Sequence, residues 1–384
     1  MLRVVPITTL ESLLELKLYW NSLLEKSGTN YIFLTFEWIL CWWQHFGKRR
    51  ELHVLTVWDD ETLIGIAPFM IRSNKLLKYV EFIGRGTADY HDFILVKDRT
   101  KCMDIIFSYF MQNGNIWDII DIMLIRDDSP NLVPLYEVLQ KYSIRFISNN
   151  CYQCPCIYLP QSWDLYEKTL SKNLVNDTRR CLRRLKDLGP YEIIHSGTND
   201  VLDSFFDQHI NRWKALGISS KFSNKVYRKF YSNLATIGKE RGWFSLSCLV
   251  SNGRPISFIY GFIYSGIYSY LFSSYDLSYK YVSPGKILLQ DLLLNCIKNR
   301  VYIFDFGGGT ESYKFQYSNF NRETRDVMVF RDRFSDIIHY TFSSIEKTYL
   351  LRSLRKVYKV LKWFFGDKYE KFIIKGNKNA DLAF

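Results

Sequence analysis

The chain has 384 residues, 47% of them hydrophobic, 17% aromatic and 23% charged, with a formal net charge of +12. That apolar fraction excludes a disordered chain, and nine Pro with twenty Gly exclude a collagen-like or linker-like one. The length exceeds one ordinary core and points to two domains of about 150 residues each, with additional segments.

Met1 to Thr9 contains one Arg and no apolar stretch of signal-peptide length, so a cytoplasmic location is expected. Apolar periodicity predicts a helix over Thr9 to Lys26 and a second over Glu37 to Phe46, crowded with Trp38, Trp42 and Trp43. Strands follow at Leu52 to Trp58 and Thr62 to Arg72, with Asp59-Asp60-Glu61 as their turn. Tyr79 to Ile83 and Phe93 to Val96 are further strands, separated by the polar loop Gly84 to Asp92. A helix at Lys101 to Gln112 and a strand at Asp118 to Ile125 complete a mixed α/β unit.

The second half repeats that order. Helices are expected at Trp163 to Leu188, Asp200 to Leu216 and Asn224 to Arg241. A meander follows at Phe244 to Val250, Pro255 to Tyr264 and Ile267 to Ser274, then a helix at Lys286 to Asn299 and a buried strand at Val301 to Phe306. Pro255 to Tyr275 carries no charge and is about long enough to span a membrane. Its Pro255, Gly261 and Gly266, with aromatics at period two, favour a buried hairpin instead. The expected division is residues 1–155, 156–332 and a basic helical tail at 333–384. Residues 331–384 carry twelve Lys or Arg against six Asp or Glu, half of the net excess.

Eight cysteines without a secretory signal read as reduced thiols. Cys151, Cys154 and Cys156 are spaced like thiolate ligands, but structural zinc takes four ligands, usually as two pairs, and no second pair follows. No metal is expected. Arg179, Arg180, Arg183 and Arg184 fall on one side of a helix, a solvated face or a seat for phosphates.

Two segments are candidates for chemistry. Ser283-Pro284-Gly285 between a strand and a helix permits close approach to a helix N-terminus, where Lys286 adds a full charge; it fits a pyrophosphate or an ordinary helix start. Asp305-Phe306-Gly307-Gly308-Gly309-Thr310-Glu311-Ser312-Tyr313-Lys314 ends a strand in an acid and three destabilising glycines. There Asp305 could orient or deprotonate an amine, Tyr313 could donate a proton, and Lys314 could bind an anion, with Glu311 a further acid. Asp89 and Asp92 flank Tyr90 and His91 in a weaker acidic loop, and His209, Arg212 and Trp213 share a helix.

Taken in order, these motifs resemble the CelD/BcsL-like group of the GNAT acyltransferase superfamily, related in architecture to the FemABX peptidyltransferases. The resembling residues are Phe36-Glu37-Trp38 with Trp42-Trp43 and Phe46-Gly47, Leu63 to Phe69, Asp89-Tyr90 with Asp92, and the Arg179 to Leu185 helix. They continue through His209 with Arg212-Trp213, Ser283-Pro284-Gly285, and Asp305-Phe306-Gly307 leading to Tyr313-Lys314. The resemblance implies an α/β fold of two tandem GNAT-like domains and transfer of an acyl group, such as acetyl, from acyl-CoA to a primary amine. An amino sugar or a precursor of surface polysaccharide or lipid is the acceptor such relatives suggest. Phe272, Ser273 and Ser283 to Lys286 would then hold the acyl-CoA, and Asp89, Tyr90, Asp92, Arg212 and Trp213 the acceptor. The usual GNAT phosphate loop is absent, which keeps an aminoacyl-tRNA donor open, as does a non-catalytic module. The basic tail would equally suit tRNA or an anionic membrane surface.

Overall fold

The computed structural model describes residues 1–74, 76–195 and 199–332, apart from the side chains of 199 and 200. The expected tail at 333–384 lies outside the described residues.

In chain order the elements are β1 (Leu2–Ile7), α1 (Leu10–Glu15), α2 (Lys17–Lys26), α3 (Phe36–Phe46), β2 (Glu51–Leu52), β3 (Val54–Asp59), β4 (Thr62–Ala67), β5 (Phe69–Ser73), β6 (Lys78–Phe82) and β7 (Ile94–Leu95). Next come α4 (Arg99–Gln112), β8 (Ile119–Arg126), α5 (Leu132–Lys141), β9 (Arg145–Tyr158), α6 (Trp163–Glu167), α7 (Lys172–Asp187), β10 (Tyr191–Ile194) and α8 (Asn199–Ala215). The remainder are α9 (Lys225–Glu240), β11 (Phe244–Ser251), β12 (Arg254–Tyr264), β13 (Ile267–Tyr275), α10 (Pro284–Lys298), β14 (Ile303–Asp305), α11 (Ser312–Tyr317) and β15 (Phe320–Phe330).

Three expected elements are each divided. The first helix breaks at Leu16, and α1 starts where the Thr9 hydroxyl accepts from the Ser12 N–H. Thr62 to Arg72 is interrupted at Pro68, which cannot donate to a ladder, so β4 and β5 join different sheets. Trp163 to Leu188 divides because Ser171 accepts from Leu174 N–H and starts α7 anew.

Among the described residues, β1-β3-β4-β7 form a small sheet and β10-β11-β12-β13-β14-β9-β15-β8-β6-β5-β2 a continuous larger one. Pro255 to Tyr275 is the expected hairpin: β12 and β13 pair antiparallel through a turn at Ser265 and Gly266, both at positive φ. No described helix is long and apolar enough to cross a membrane. Sequence periodicity did not reveal α5, β9 or β15. β15 lies between β9 and β8, and the expected boundary at 155/156 falls inside β9.

The sheet of the second half is covered on both faces. Phe258, Tyr260 and Phe262 pack with Phe205, Phe222, Phe230 and Tyr231 of the α8–α9 side. Tyr268, Tyr270 and Phe304 pack with Leu185 of α7 and Leu288 of α10 on the other. β13 and β14 run parallel only from Ile267↔Ile303 to Ser269↔Asp305. Beyond that point β13 continues to Tyr275 while β14 ends, so the sheet splays open beside Asp305.

Candidate active site at the splay

Asp305 ends β14 with its carboxylate buried and committed. The Tyr90 hydroxyl donates to it at 2.9 Å, Arg322 Nη1 lies 3.2 Å from Oδ2, and the Gly307 N–H donates to Oδ1 at 2.8 Å. This last bond is an Asx-type turn that sets Gly307 at φ 65°, a conformation costly for any residue with a Cβ. Tyr90 comes from the loop of the first half and is wedged between Tyr31 and Phe33, with Arg126 over its ring. Asp305 therefore ties the two halves together across the splay.

The glycines that follow are explained by their neighbours. A Cβ on Gly307 would meet Asp89 Oδ2 at 2.5 Å, and one on Gly309 would meet Glu311 Oε2 at 2.1 Å and Lys314 Nζ at 2.8 Å. Lys314 is buried and donates to Gly308 O at 3.0 Å while pairing with Glu311 at 3.1 Å. Asp89, Asp305, Glu311 and Lys314 are thereby brought to one place.

Asp89 is partly exposed. Desolvation, reinforced by the charge of Asp305, pushes its carboxyl up to about 7, against the pull of Lys314 and Lys221. Lys221, from the connection between α8 and α9, was not singled out in the sequence, where no pattern marks it. It donates to Gly86 O at 3.0 Å and lies 5.5 Å from the Tyr227 ring and 5.9 Å from that of Phe272. Desolvation holds its ammonium below the usual lysine range, opposed by the charge of Asp89.

Tyr313 reaches back from α11 and donates to the Tyr270 hydroxyl at 3.2 Å. Burial raises both phenols, so both stay protonated near neutrality. Phe272 packs on the aromatic core of the α8–α9 side, 4.9 Å from Tyr231 and 5.0 Å from Phe222. Ser273 O accepts from Arg212 at 3.4 Å.

Not every expected residue converges here. Asp92 is buried under α5, bonded to Asn131 Nδ2 and the Phe93 N–H at 2.8 Å each, and burial raises its carboxyl to about 6. Its place is a loop anchor, away from the splay. Trp213 stacks on His209 at 5.5 Å and 14°. Cys154 and Cys156 are buried free thiols of β9, and Cys151 is half-buried.

The Ser283 to Lys286 segment lies on the α7 side. Ser283 adopts φ 51°, and no side chain caps the start of α10. Lys286 ion-pairs with Asp177 of α7, which also holds Arg180. Ser171, Asn173, Asn176, Arg183 and Gln316 complete an open cleft of about 720 Å³ with these three. The basic face of α7 and the start of α10 thus form one seat, with Leu185 turned into the core.

Residues 172–315 match the acetyltransferase (GNAT) domain family. Among curated proteins none matches the sequence. In structure the chain is similar to FemX, with a TM-score of 0.60 at 9% identity, over 88% of this chain and 99% of that one. It is also similar to a conserved protein of unknown function from Bacteroides thetaiotaomicron, with a TM-score of 0.54 at 12% identity, over 86% and 100%. A third similarity is to a C-terminal domain described as that of a lysylphosphatidylglycerol synthetase from Agrobacterium fabrum (TM-score 0.50, 8% identity, 80% and 91%). The chain therefore has a mixed α/β, GNAT-like fold, and its residues 172–315, from the start of α7 into α11, match the acetyltransferase (GNAT) domain.

Proposed function

We propose that this protein is an N-acyltransferase that moves an acyl group from acyl-CoA to a primary amine, with an amino sugar or a lipid or polysaccharide precursor as acceptor. One observation carries the reading: a carboxyl held near 7, Asp89, stands at the sheet splay of a GNAT-type domain. An ammonium has no lone pair, so the acceptor must lose a proton before it attacks. Asp89, ionised, accepts that proton. The amine nitrogen then forms a bond to the thioester carbonyl carbon, and the oxyanion needs N–H donors. Collapse breaks the C–S bond, and the second proton on nitrogen passes to the leaving thiolate; the Tyr313 hydroxyl, turning from Tyr270, donates a hydrogen bond to that sulfur. Asp305 holds the Gly307 turn and Tyr90 in place in this reading, and is not itself the base. Lys286, Arg180 and the uncapped start of α10 would hold the donor's phosphates. Resemblance to the CelD/BcsL-like group supports the acceptor class, and cytoplasmic action, peripheral to a membrane or not, is part of the same proposal.

The breadth of the α7–α10 cleft and the row of exposed arginines on α7 favour a second reading, an aminoacyl-tRNA donor. Calorimetric titration with CoA and acetyl-CoA separates the two. Micromolar binding lost in Lys286→Glu supports acyl-CoA. Absence of binding at millimolar CoA, together with RNase-sensitive absorbance at 260 nm in the purified protein, overturns it in favour of tRNA.

A further inference from the structure

A second cavity, of about 470 Å³, opens between α8 and the ends of β12 and β13. Its walls include Ser204, Asp207, Gln208, Asn211 and Arg212 of α8 with Arg254 at the start of β12 and Tyr275 and Asp276 at the end of β13. The volume suits a small molecule of sugar size, and the lining joins hydroxyl, amide and charged groups to two aromatic rings, Phe258 and Tyr275, with Pro255 and Leu277.

The charges of this cavity do not balance. Arg254 is paired with Asp276 at 2.6 Å, and Asp207 is taken by Arg228 at 2.7 Å. Arg212 has no carboxylate partner among the described side chains. Its guanidinium lies 4.2 Å over the Tyr275 ring and makes one long bond, at 3.4 Å, to Ser273 O. Its Nε is buried without a hydrogen-bond partner, and so is Oε1 of Gln208, one turn earlier on the same helix. A buried donor and a buried acceptor left unmade in one cavity are costly. They call for a ligand with an anionic acceptor and a neighbouring donor group.

We infer that this cavity is a binding subsite for a polyhydroxylated small molecule bearing one anionic group, with Arg212 holding the anion and Gln208 Oε1 a hydroxyl or amide N–H. A carboxylate and a phosphate monoester share this chemistry. Ser273, whose carbonyl accepts from Arg212, lies three residues from Tyr270 on β13, so the subsite lies along the strand whose Tyr270 holds Tyr313. The inference deepens the acceptor side of the proposed reaction and rests on that reading.

The test is ligand-detected NMR on the full-length protein, with and without saturating CoA, using glucuronate, glucose 1-phosphate and glucose as probes. At least one of the two anions is expected to bind at least tenfold more tightly than glucose, and the tighter one identifies the anionic group. Arg212→Gln should weaken that binding at least tenfold and Gln208→Leu several-fold, while Lys286→Glu leaves it within twofold. Equal binding of glucose, an undiminished signal in Arg212→Gln, or no binding of any probe would overturn the inference. Because binding is read directly, failure of acyl transfer or of CoA binding is a separate result.

Discussion

Asp89 and Gly307, more than two hundred residues apart, touch so closely that a methyl group on Gly307 would lie 2.5 Å from a carboxylate oxygen of Asp89. The base of the proposed reaction and the turn it leans on thus come from different halves of the chain. Gly307→Ala adds both this clash and a Cβ at φ 65°. It should cost about 1–3 kcal/mol in urea denaturation and at least tenfold in turnover. Asp89→Ala in the same chain should return part of the stability and none of the turnover.

Asp89 also sets a pH dependence. Its carboxyl titrates near 7 when folded and near 3.8 in its unperturbed state. Between those values the folded chain holds a proton that the unfolded chain has lost, so stability falls as pH rises from 4 to 7 and is level above. Asp89→Asn should therefore exceed the parent in stability above pH 7 and match it at pH 4, by thermal melts across that range. Its kcat should drop by about 10²–10⁴-fold. In the parent, kcat/KM should rise with pH through about 7, and the variant should lose that limb.

Asp305→Asn should behave differently, because Asp305 is buried against Arg322. Among the described residues Arg322 then keeps one carboxylate, Asp128 at 3.5 Å, and a buried guanidinium losing the other should cost about 3 kcal/mol. The folded fraction should keep the activity limb but at lower pH, because the Asp305 charge that helps to raise the Asp89 carboxyl is gone. Loss of that limb with stability unchanged would make Asp305 the base instead.

At the donor seat, Lys286 is neutralised by Asp177, whose own carboxyl is pulled down chiefly by that lysine. Lys286→Glu should weaken CoA at least tenfold by calorimetry. Asp177→Asn should strengthen it several-fold, because Lys286 and Arg180 are released toward phosphate.

The second half was largely legible because its elements bury whole faces: the β11–β13 meander, with Asn252-Gly253 and Ser265-Gly266 as turns, follows the expected pattern within a residue or two. β9 and β15 escaped because their sequences, with Asn149-Asn150 and Arg322 to Asp326, lack clean alternation; long-range partners hold them in the sheet. At the site, the Asp305 glycine run was a readable signal, since three glycines at a strand end need a reason. What each glycine makes room for was not readable. Asp89 and Lys221 acquire their roles only when distant loops meet, and no spacing along the chain encodes that meeting.

Because β15 is inserted between β9 and β8, the first half closes its sheet with a strand from the far end of the described chain. A ribosome must deliver residue 330 before β8 and β9 have anything to hold between them. Until then both present open edges, a period of exposure to misassembly during synthesis. Cutting the chain at 155 would leave the first half permanently in that state, so the two halves are to be produced as one folding unit.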